Sequence, residues 1–185
     1  NYDEGSARAH RSWRTEEPAP SPRQALDLAL WQRFYSVSES ERQSRLDDLR
    51  AWSGSPVASR PTRRTMTAAE IVALRAGAPI EIAAHTVTHT PLPRLDATAQ
   101  REEIARSKIC LEDLIEEPVY GFAYPHGAHD ADSVARVGEA GFRYACTTHA
   151  RPFIAPVSPL ALPRVGARDW DGGELERRLD WWLRG

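Results

Sequence analysis

The chain has 185 residues, which is long enough for one sizeable domain with a core of its own. Its 24 Lys and Arg residues are offset by 26 Asp and Glu residues, which gives a formal net charge of −2. This balance argues against a nucleic-acid partner, because a phosphate backbone is bound through an excess of basic side chains. No apolar run approaches the roughly 18 residues that a membrane-spanning helix requires, so we expect no transmembrane segment.

The first part of the chain, residues 1–64, is polar and rich in Arg, Glu, Ser and Pro. Two stretches in it, 22–36 and 39–52, carry apolar residues at helical spacing and are flanked by proline and glycine. We interpret residues 1–64 as a helical insert or cap. The chain begins with Asn1 and its single Met is Met66, so we expect it to be a piece of a longer gene product or a processed one.

The second part, residues 65–185, alternates between helix and strand patterns. Helices are predicted from a capping box at 67–70 to about residue 75, and at 97–116, 130–140 and 174–183. Strands are predicted at 80–84, 119–124, 142–147 and 162–165. The apolar residues of the 97–116 helix that we expect to face the core are Ile104, Ile109, Leu111 and Leu114. Strands separated by helices indicate parallel pairing in an α/β fold, whose ligand sites lie at the C-terminal ends of the strands.

The first candidate site is the segment His85-Thr86-Val87-Thr88-His89, which directly follows the predicted 80–84 strand. Imidazoles at positions i and i+4 face the same side of a helical turn, so both could bind one metal ion. The alternative is that these are two unrelated histidines on a surface turn. A catalytic zinc also needs a third protein ligand and an open position, which the two histidines do not supply.

The second candidate site is the segment from Phe122 to Gly127, at the end of the next predicted strand. Pro125 and Gly127 predict an irregular turn there. Such a turn could direct the backbone N–H of His126 inward, where it would stabilise a developing oxyanion. Taken alone, this pattern more often does no more than end a strand.

Together the two segments resemble the polysaccharide deacetylase family, whose members hydrolyse N-acetyl groups from amino sugars. The motifs that carry the resemblance are, in chain order, His85-Thr-x-x-His89, Phe122-Ala-Tyr-Pro-x-Gly127 and Ala140-Gly-Phe142. The resemblance covers roughly residues 65–170. The family fold is a distorted (β/α) barrel with a divalent metal, usually zinc, at the C-terminal ends of its strands. The resemblance therefore implies such a barrel here, incomplete at its N-terminus and carrying a helical insert.

The resemblance also assigns roles to particular residues. It implies that His85 and His89 are metal ligands and that zinc is the expected ion. The backbone N–H of His126 takes the role of the oxyanion donor. The substrate is then an N-acetylated polysaccharide or oligosaccharide, and the residues implied to bind it are Tyr124, Pro125 and Gly127.

This sequence departs from the family pattern in its acidic groups. The Thr-Phe-Asp-Asp-Gly motif that supplies the third metal ligand and the general base is absent, and Asp3-Glu4-Gly5 resembles it only superficially, since two residues precede it. Ala123 replaces an Arg that would orient the base, and the late Leu-x-His motif is missing, so that His149 is interpreted as a solvated loop residue. We therefore expect the third ligand and the base upstream of Asn1, and the chain alone to be inactive.

The rival interpretation is a non-catalytic module that binds a metal or a glycan. Trp170, Trp181 and Trp182 could stack on sugar rings, although the last two more simply divide between the core and the surface of the final helix. A metallopeptidase would instead require a His-Glu-x-x-His motif, which the sequence lacks.

Overall fold

The structure is a computed structural model that describes residues 5, 13, 17–35, 37–55, 64–77, 79–151, 156–166 and 170–184. The chain forms two compact units, Asn1–Ser59 and Arg60–Gly185. Their division lies close to the boundary that the sequence suggests after residue 64. The interpretation of the first unit as an insert or cap stays a prediction.

The first unit contains the two helices that the apolar spacing predicts, α1 (Pro22–Tyr35) and α2 (Glu39–Ser53). The hydroxyl of Ser38 caps α2 by accepting the Glu41 N–H, and Gly54 ends the helix with a φ of 61°. Both helices expose apolar side chains within this unit, and Trp52 is 85% exposed.

The second unit contains α3 (Ala68–Gly77), α4 (Ala97–Ile115), α5 (Ala131–Glu139) and α6 (Gly172–Arg184). All four predicted helices are confirmed to within a few residues. The capping box before α3 is also present, since Glu70 N–H donates to the Thr67 hydroxyl and Thr67 N–H donates to the Glu70 carboxylate. None of the helices among the described residues is both long and apolar enough to cross a membrane.

The sheet is built from two short parallel strands, β1 (Gly121–Ala123) and β2 (Tyr144–Cys146), with Phe122 opposite Ala145. Single parallel bridges extend it on both sides, from Ala84 to Phe122 and from Cys146 to Leu162. The four segments therefore lie side by side in chain order, with α4 and α5 connecting the first three. Parallel pairing in an α/β arrangement is thus confirmed.

The prediction of strands at 80–84 and 162–165 is wrong, because each segment contributes only one bridging residue to the sheet. Ala84 alone is buried in the first segment, whereas Ile80 is 38% exposed. Burial on both faces is what favours a continuous parallel strand, and residues 80–83 lack it.

The core lies between the strand pair and the two connecting helices. Ile104 of α4 and Val137 of α5 are both fully buried against Phe122 and its neighbours. The prediction that Ile109 faces the core is wrong, since it is 53% exposed. At 3.6 residues per turn it lies about 140° around the helix from Ile104, whereas Leu111 returns to the buried side and packs against the core.

Lysine 108, the only lysine in the chain, ties α4 to the start of β1. Its ammonium group donates to the Glu112 carboxylate at 2.7 Å and also to the Val119 carbonyl. The Val119 N–H donates to the same carboxylate at 2.9 Å. These bonds attach the chain just before β1 to α4.

Candidate functional site

The first site segment follows the Ala84 bridge directly, but it is not the helical turn that the i, i+4 spacing suggested. Thr86 and His89 have φ values of 61° and 60°, in the left-handed region. That conformation costs a residue with a side chain about 1–2 kcal/mol. These two left-handed residues fold the backbone so that the rings of His85 and His89 still converge. The ring centroids are 4.7 Å apart and the ring planes are inclined at 66°. The His89 N–H donates to the Thr86 hydroxyl at 3.1 Å across the turn.

The His85 ring is oriented by the neighbouring strand. Its Nδ1 lies 2.7 Å from the Ala123 carbonyl oxygen. A carbonyl can only accept, so Nδ1 carries a proton, and in the neutral ring Nε2 is then the nitrogen with the lone pair. A histidine whose other nitrogen is held by a backbone carbonyl has the tautomer and orientation that metal ligands require.

The second site segment begins where β1 ends. The Tyr124 N–H makes a bond to the Cys146 carbonyl, and beyond it Pro125–Gly127 forms a single 3₁₀ turn. The turn is closed by Gly127 N–H to the Tyr124 carbonyl at 2.8 Å. His126 is left-handed, with φ 56° and ψ 11°, and its ring centroid lies 4.5 Å from that of His89. The structure therefore brings together His85, His89 and His126.

Burial separates His126 from the rest of its turn. Tyr124, Pro125 and Gly127 are buried, whereas His126 is exposed. The Tyr124 hydroxyl donates to the Leu160 carbonyl at 2.8 Å, and burial raises the pKa of that phenol. The three buried residues thus support the turn from inside. Their assignment to substrate binding stays a prediction, and His126 is the member of the turn that presents its side chain to solvent.

The donor set fits part of a metal site. Two imidazoles converge on the solvent side, and one has a defined lone pair, as zinc ligands require. Within the described ranges, no group of three or more His, Cys, Asp or Glu side chains is placed to hold a metal ion. His126 therefore does not complete the set with His85 and His89. Asp3 and Glu4 lie outside the described residues.

A second pair of imidazoles lies next to this group. His149 is exposed, as expected for a loop residue, and its ring centroid is 5.3 Å from that of His129. The His129 Nδ1 donates to the Gly127 carbonyl at 2.8 Å. Ala123, which the resemblance places at the position of an Arg, contributes here the carbonyl that holds His85.

The tryptophans of the rival interpretation lie near the final helix. Trp181 is 67% exposed, whereas Trp182 is half-buried against Trp170, with ring centroids 6.0 Å apart. The guanidinium of Arg178 covers the Trp170 ring at 4.5 Å. Trp181 lies at the surface as predicted, whereas Trp182 packs against Trp170 and not in the core.

Sequence reasoning missed two parts of this site. The His126 side chain was overlooked because the motif directed attention to its backbone N–H. Glu103, in the middle of α4, accepts hydrogen bonds from Val87 and Thr88. Nothing in the local sequence marks Glu103, since it lies among other charged residues of a helix and its contact is made 15 residues away in the chain.

A family model described as polysaccharide deacetylase matches residues 57–145. The Streptococcus pyogenes deacetylase PplD, solved in complex with acetate, is similar with a TM-score of 0.53 at 20% identity, over 57% of this chain and 46% of that one. BC0361, a polysaccharide deacetylase from Bacillus cereus, has a TM-score of 0.51 at 29% identity, over 57% and 33%. BA0330 from Bacillus anthracis, a candidate polysaccharide deacetylase, has a TM-score of 0.50 at 30% identity, over 55% and 32%.

The chain spans less than half of the length of each of these solved proteins. No curated protein matches it significantly. The likeness to the streptococcal enzyme supports the fold alone, while the two Bacillus proteins share more of the sequence. The family model covers the His85–His89 turn, the Tyr124–Gly127 turn and the helix between them. Residues 57–145 of this chain therefore match the polysaccharide deacetylase family, which confirms the resemblance that the sequence motifs indicate.

Proposed function

We propose that this chain is part of a metal-dependent deacetylase that removes N-acetyl groups from an amino-sugar polysaccharide. The observation that carries the proposal is the convergence of His85 and His89, 4.7 Å between ring centroids, beside the exposed His126 turn. The family match supports the deacetylation of a polysaccharide. The metal, its identity as zinc, and the need for residues from a longer protein are our inference from the donor chemistry.

His85 and His89 would hold the ion through ring nitrogens. The Ala123 carbonyl keeps the proton of His85 on Nδ1, so its Nε2 is the nitrogen offered to the metal. A divalent metal bound there would supply a Lewis acid that polarises the acetamide carbonyl. Zinc suits a site with two imidazoles, because nitrogen donors are among its preferred ligands.

His126 would bind the substrate's carbonyl region. Its backbone is left-handed, and the turn presents its side chain to solvent. We infer that the His126 N–H donates to the oxygen that becomes negative as water adds to the acetamide. The third metal ligand and the general base are then carboxylates from outside the described residues, and the bridged segments form part of a distorted (β/α) barrel.

The test is acetate release from an N-acetylglucosamine oligomer in the presence of zinc chloride. We expect the longer protein to be active and the 185-residue chain to be inactive. In the longer protein, His85→Ala and His89→Ala should each reduce kcat/KM by orders of magnitude, as loss of a member of a catalytic unit does. His149→Ala is the matched control, because His149 is an exposed loop histidine outside the proposed set.

Two outcomes would change the proposal. If the 185-residue chain is active and loses that activity on Asp3→Asn, the Asp3-Glu4-Gly5 segment supplies the carboxylate. The interpretation that the site is incomplete in this chain would then be wrong. Zinc or oligosaccharide binding by the longer protein without any acetate release would favour the non-catalytic module instead.

A further inference from the structure

The turn that carries the two histidines is held by a carboxylate from a distant part of the chain. One oxygen of Glu103, Oε2, accepts the backbone N–H of Val87 at 2.8 Å and that of Thr88 at 2.9 Å. The other oxygen, Oε1, accepts the Thr88 hydroxyl at 3.0 Å. One side chain therefore binds two of the three residues between His85 and His89.

The backbone of this segment needs such support. Thr86 and His89 flank the two residues that Glu103 binds, and both are in the left-handed region. A strained backbone of this kind persists only where surrounding contacts determine it. Hydrogen bonds to an ionised carboxylate are stronger than those between neutral groups, so Glu103 is well suited to this task.

The direction of the bonds distinguishes positioning from direct chemistry. Both Glu103 oxygens already accept hydrogen bonds from the turn. Within the described part of the chain, no group of three or more potential ligand side chains could hold a metal, so Glu103 does not complete a set with the histidines. Glu103 instead contacts the backbone between the two histidines, so it can control the distance between their rings.

A second anchor acts at one end of the same segment. The Ala123 carbonyl holds the His85 ring from the strand side, whereas Glu103 holds residues 87 and 88 from the helix side. With one end and the middle fixed, the direction in which the chain leaves toward His89 is also fixed. His89 then meets His85 at 4.7 Å between ring centroids.

We propose that Glu103 is a positioning residue that keeps the His85–His89 turn in the conformation in which the two imidazoles converge. The purpose of this role, metal binding by the two histidines, rests on the proposed function. The contacts by which Glu103 holds the turn do not depend on it. Its removal should loosen the turn, separate the rings and weaken metal binding. The rest of the fold should be little affected, because the bonds are local to one turn.

The experiment compares Glu103→Ala and Glu103→Gln with Glu102→Ala, an exposed neighbour on the same helix. Amide hydrogen exchange is measured by NMR without metal or substrate. In Glu103→Ala we expect the Val87 and Thr88 amides to exchange about tenfold faster. Glu103→Gln should fall between this variant and the wild type, because its amide oxygen still accepts. Glu102→Ala should leave both amides unchanged.

The amides of Ala84 and Tyr124, which donate to Gly121 and Cys146, report on the sheet. Unchanged exchange at Val87 and Thr88 in Glu103→Ala would overturn the proposal. Acceleration of equal size at Ala84 and Tyr124 would overturn it as well, because it would indicate a general loss of stability.

A zinc chloride titration by calorimetry then measures the consequence for binding. We expect Glu103→Ala to weaken zinc binding about 10–100-fold, the range typical of residues that orient metal ligands. Wild-type affinity in that variant would contradict the role. The exchange result needs neither metal nor substrate, so it can stand even if the longer protein releases no acetate. Conversely, an active deacetylase whose Glu103→Ala variant keeps slow exchange would leave the function intact and remove the positioning role.

Discussion

Substitution of Gly127 by alanine should disrupt the turn that carries His126. Gly127 has a φ of 71°, which residues with a side chain rarely adopt. A Cβ added there would also lie 2.1 Å from the Thr148 hydroxyl oxygen and 2.7 Å from the Thr148 backbone nitrogen. A hydroxyl can rotate away, but the backbone nitrogen moves only if a chain segment moves. The substitution therefore combines backbone strain with a clash.

The two effects differ in size. The left-handed conformation costs an alanine about 1–2 kcal/mol relative to glycine. Forcing a methyl group into packed space costs about 1–3 kcal/mol more. The lower entropy of the unfolded chain offsets about 0.4–1 kcal/mol. We expect the free energy of unfolding to fall by about 2–4 kcal/mol.

Gly141→Ala is the matched control for the backbone effect. Gly141 has a φ of 81°, and a Cβ there would meet no atom of the described residues within 4 Å. It should cost about 1 kcal/mol, the conformational effect without the clash. Combining Thr148→Ala with Gly127→Ala removes the hydroxyl but leaves the backbone nitrogen, so this pair should recover only part of the loss.

Urea unfolding followed by circular dichroism gives the free energies for all three variants and the wild type. Equal losses in Gly127→Ala and Gly141→Ala would refute the reasoning, since the Thr148 contact would then contribute nothing. Full recovery in the double variant would show that the hydroxyl alone, and not the backbone, limits the space at this turn.

Tyr124→Phe removes the hydrogen bond to the Leu160 carbonyl and should lower the free energy of unfolding by about 1–2 kcal/mol. The same urea titration measures this loss, and a loss below about 0.3 kcal/mol would contradict the prediction. The pKa of Glu112 is lowered, first by the hydrogen bond from Lys108. A lowered folded-state pKa contributes stability above the ordinary value of 4.5 that is lost as the pH falls through the folded value. Thermal unfolding between neutral and acidic pH should therefore depend less on pH in Glu112→Gln, and the exposed neighbour variant Asp113→Asn should behave as the wild type.

Helices were predictable from the sequence because their signals are local. The capping box at Thr67 and Glu70 and the left-handed Gly141 mark ends that the structure confirms within a few residues. Strand lengths were not predictable, since the 80–84 run has the composition of a strand but a sheet partner only at Ala84. Strand pairing depends on which segments lie beside each other in the folded chain, and the spacing of apolar residues in the sequence does not indicate this.

The proximity of the two site segments was predictable, whereas their geometry was not. Parallel strands place their C-terminal ends together, so a turn after Ala84 and a turn after Ala123 had to be neighbours. The spacing of His85 and His89 suggested a helical turn, but tertiary contacts impose a backbone with two left-handed residues. A contact between residues 15 apart, such as that of Glu103 with Thr88, leaves no trace in a single sequence.

The single bridge between Ala84 and Phe122 is sufficient to place His85, because the burial of both bridging residues fixes the register of the pairing. Ala84 and Phe122 face each other, and each is 1% exposed. The Ala123 N–H donates to the Ala84 carbonyl at 2.9 Å, which puts the Ala123 carbonyl within reach of the His85 ring. A slip of one residue would turn Ala84 out of the core and move the carbonyl away from Nδ1. The tautomer of the proposed metal ligand is therefore a consequence of core packing.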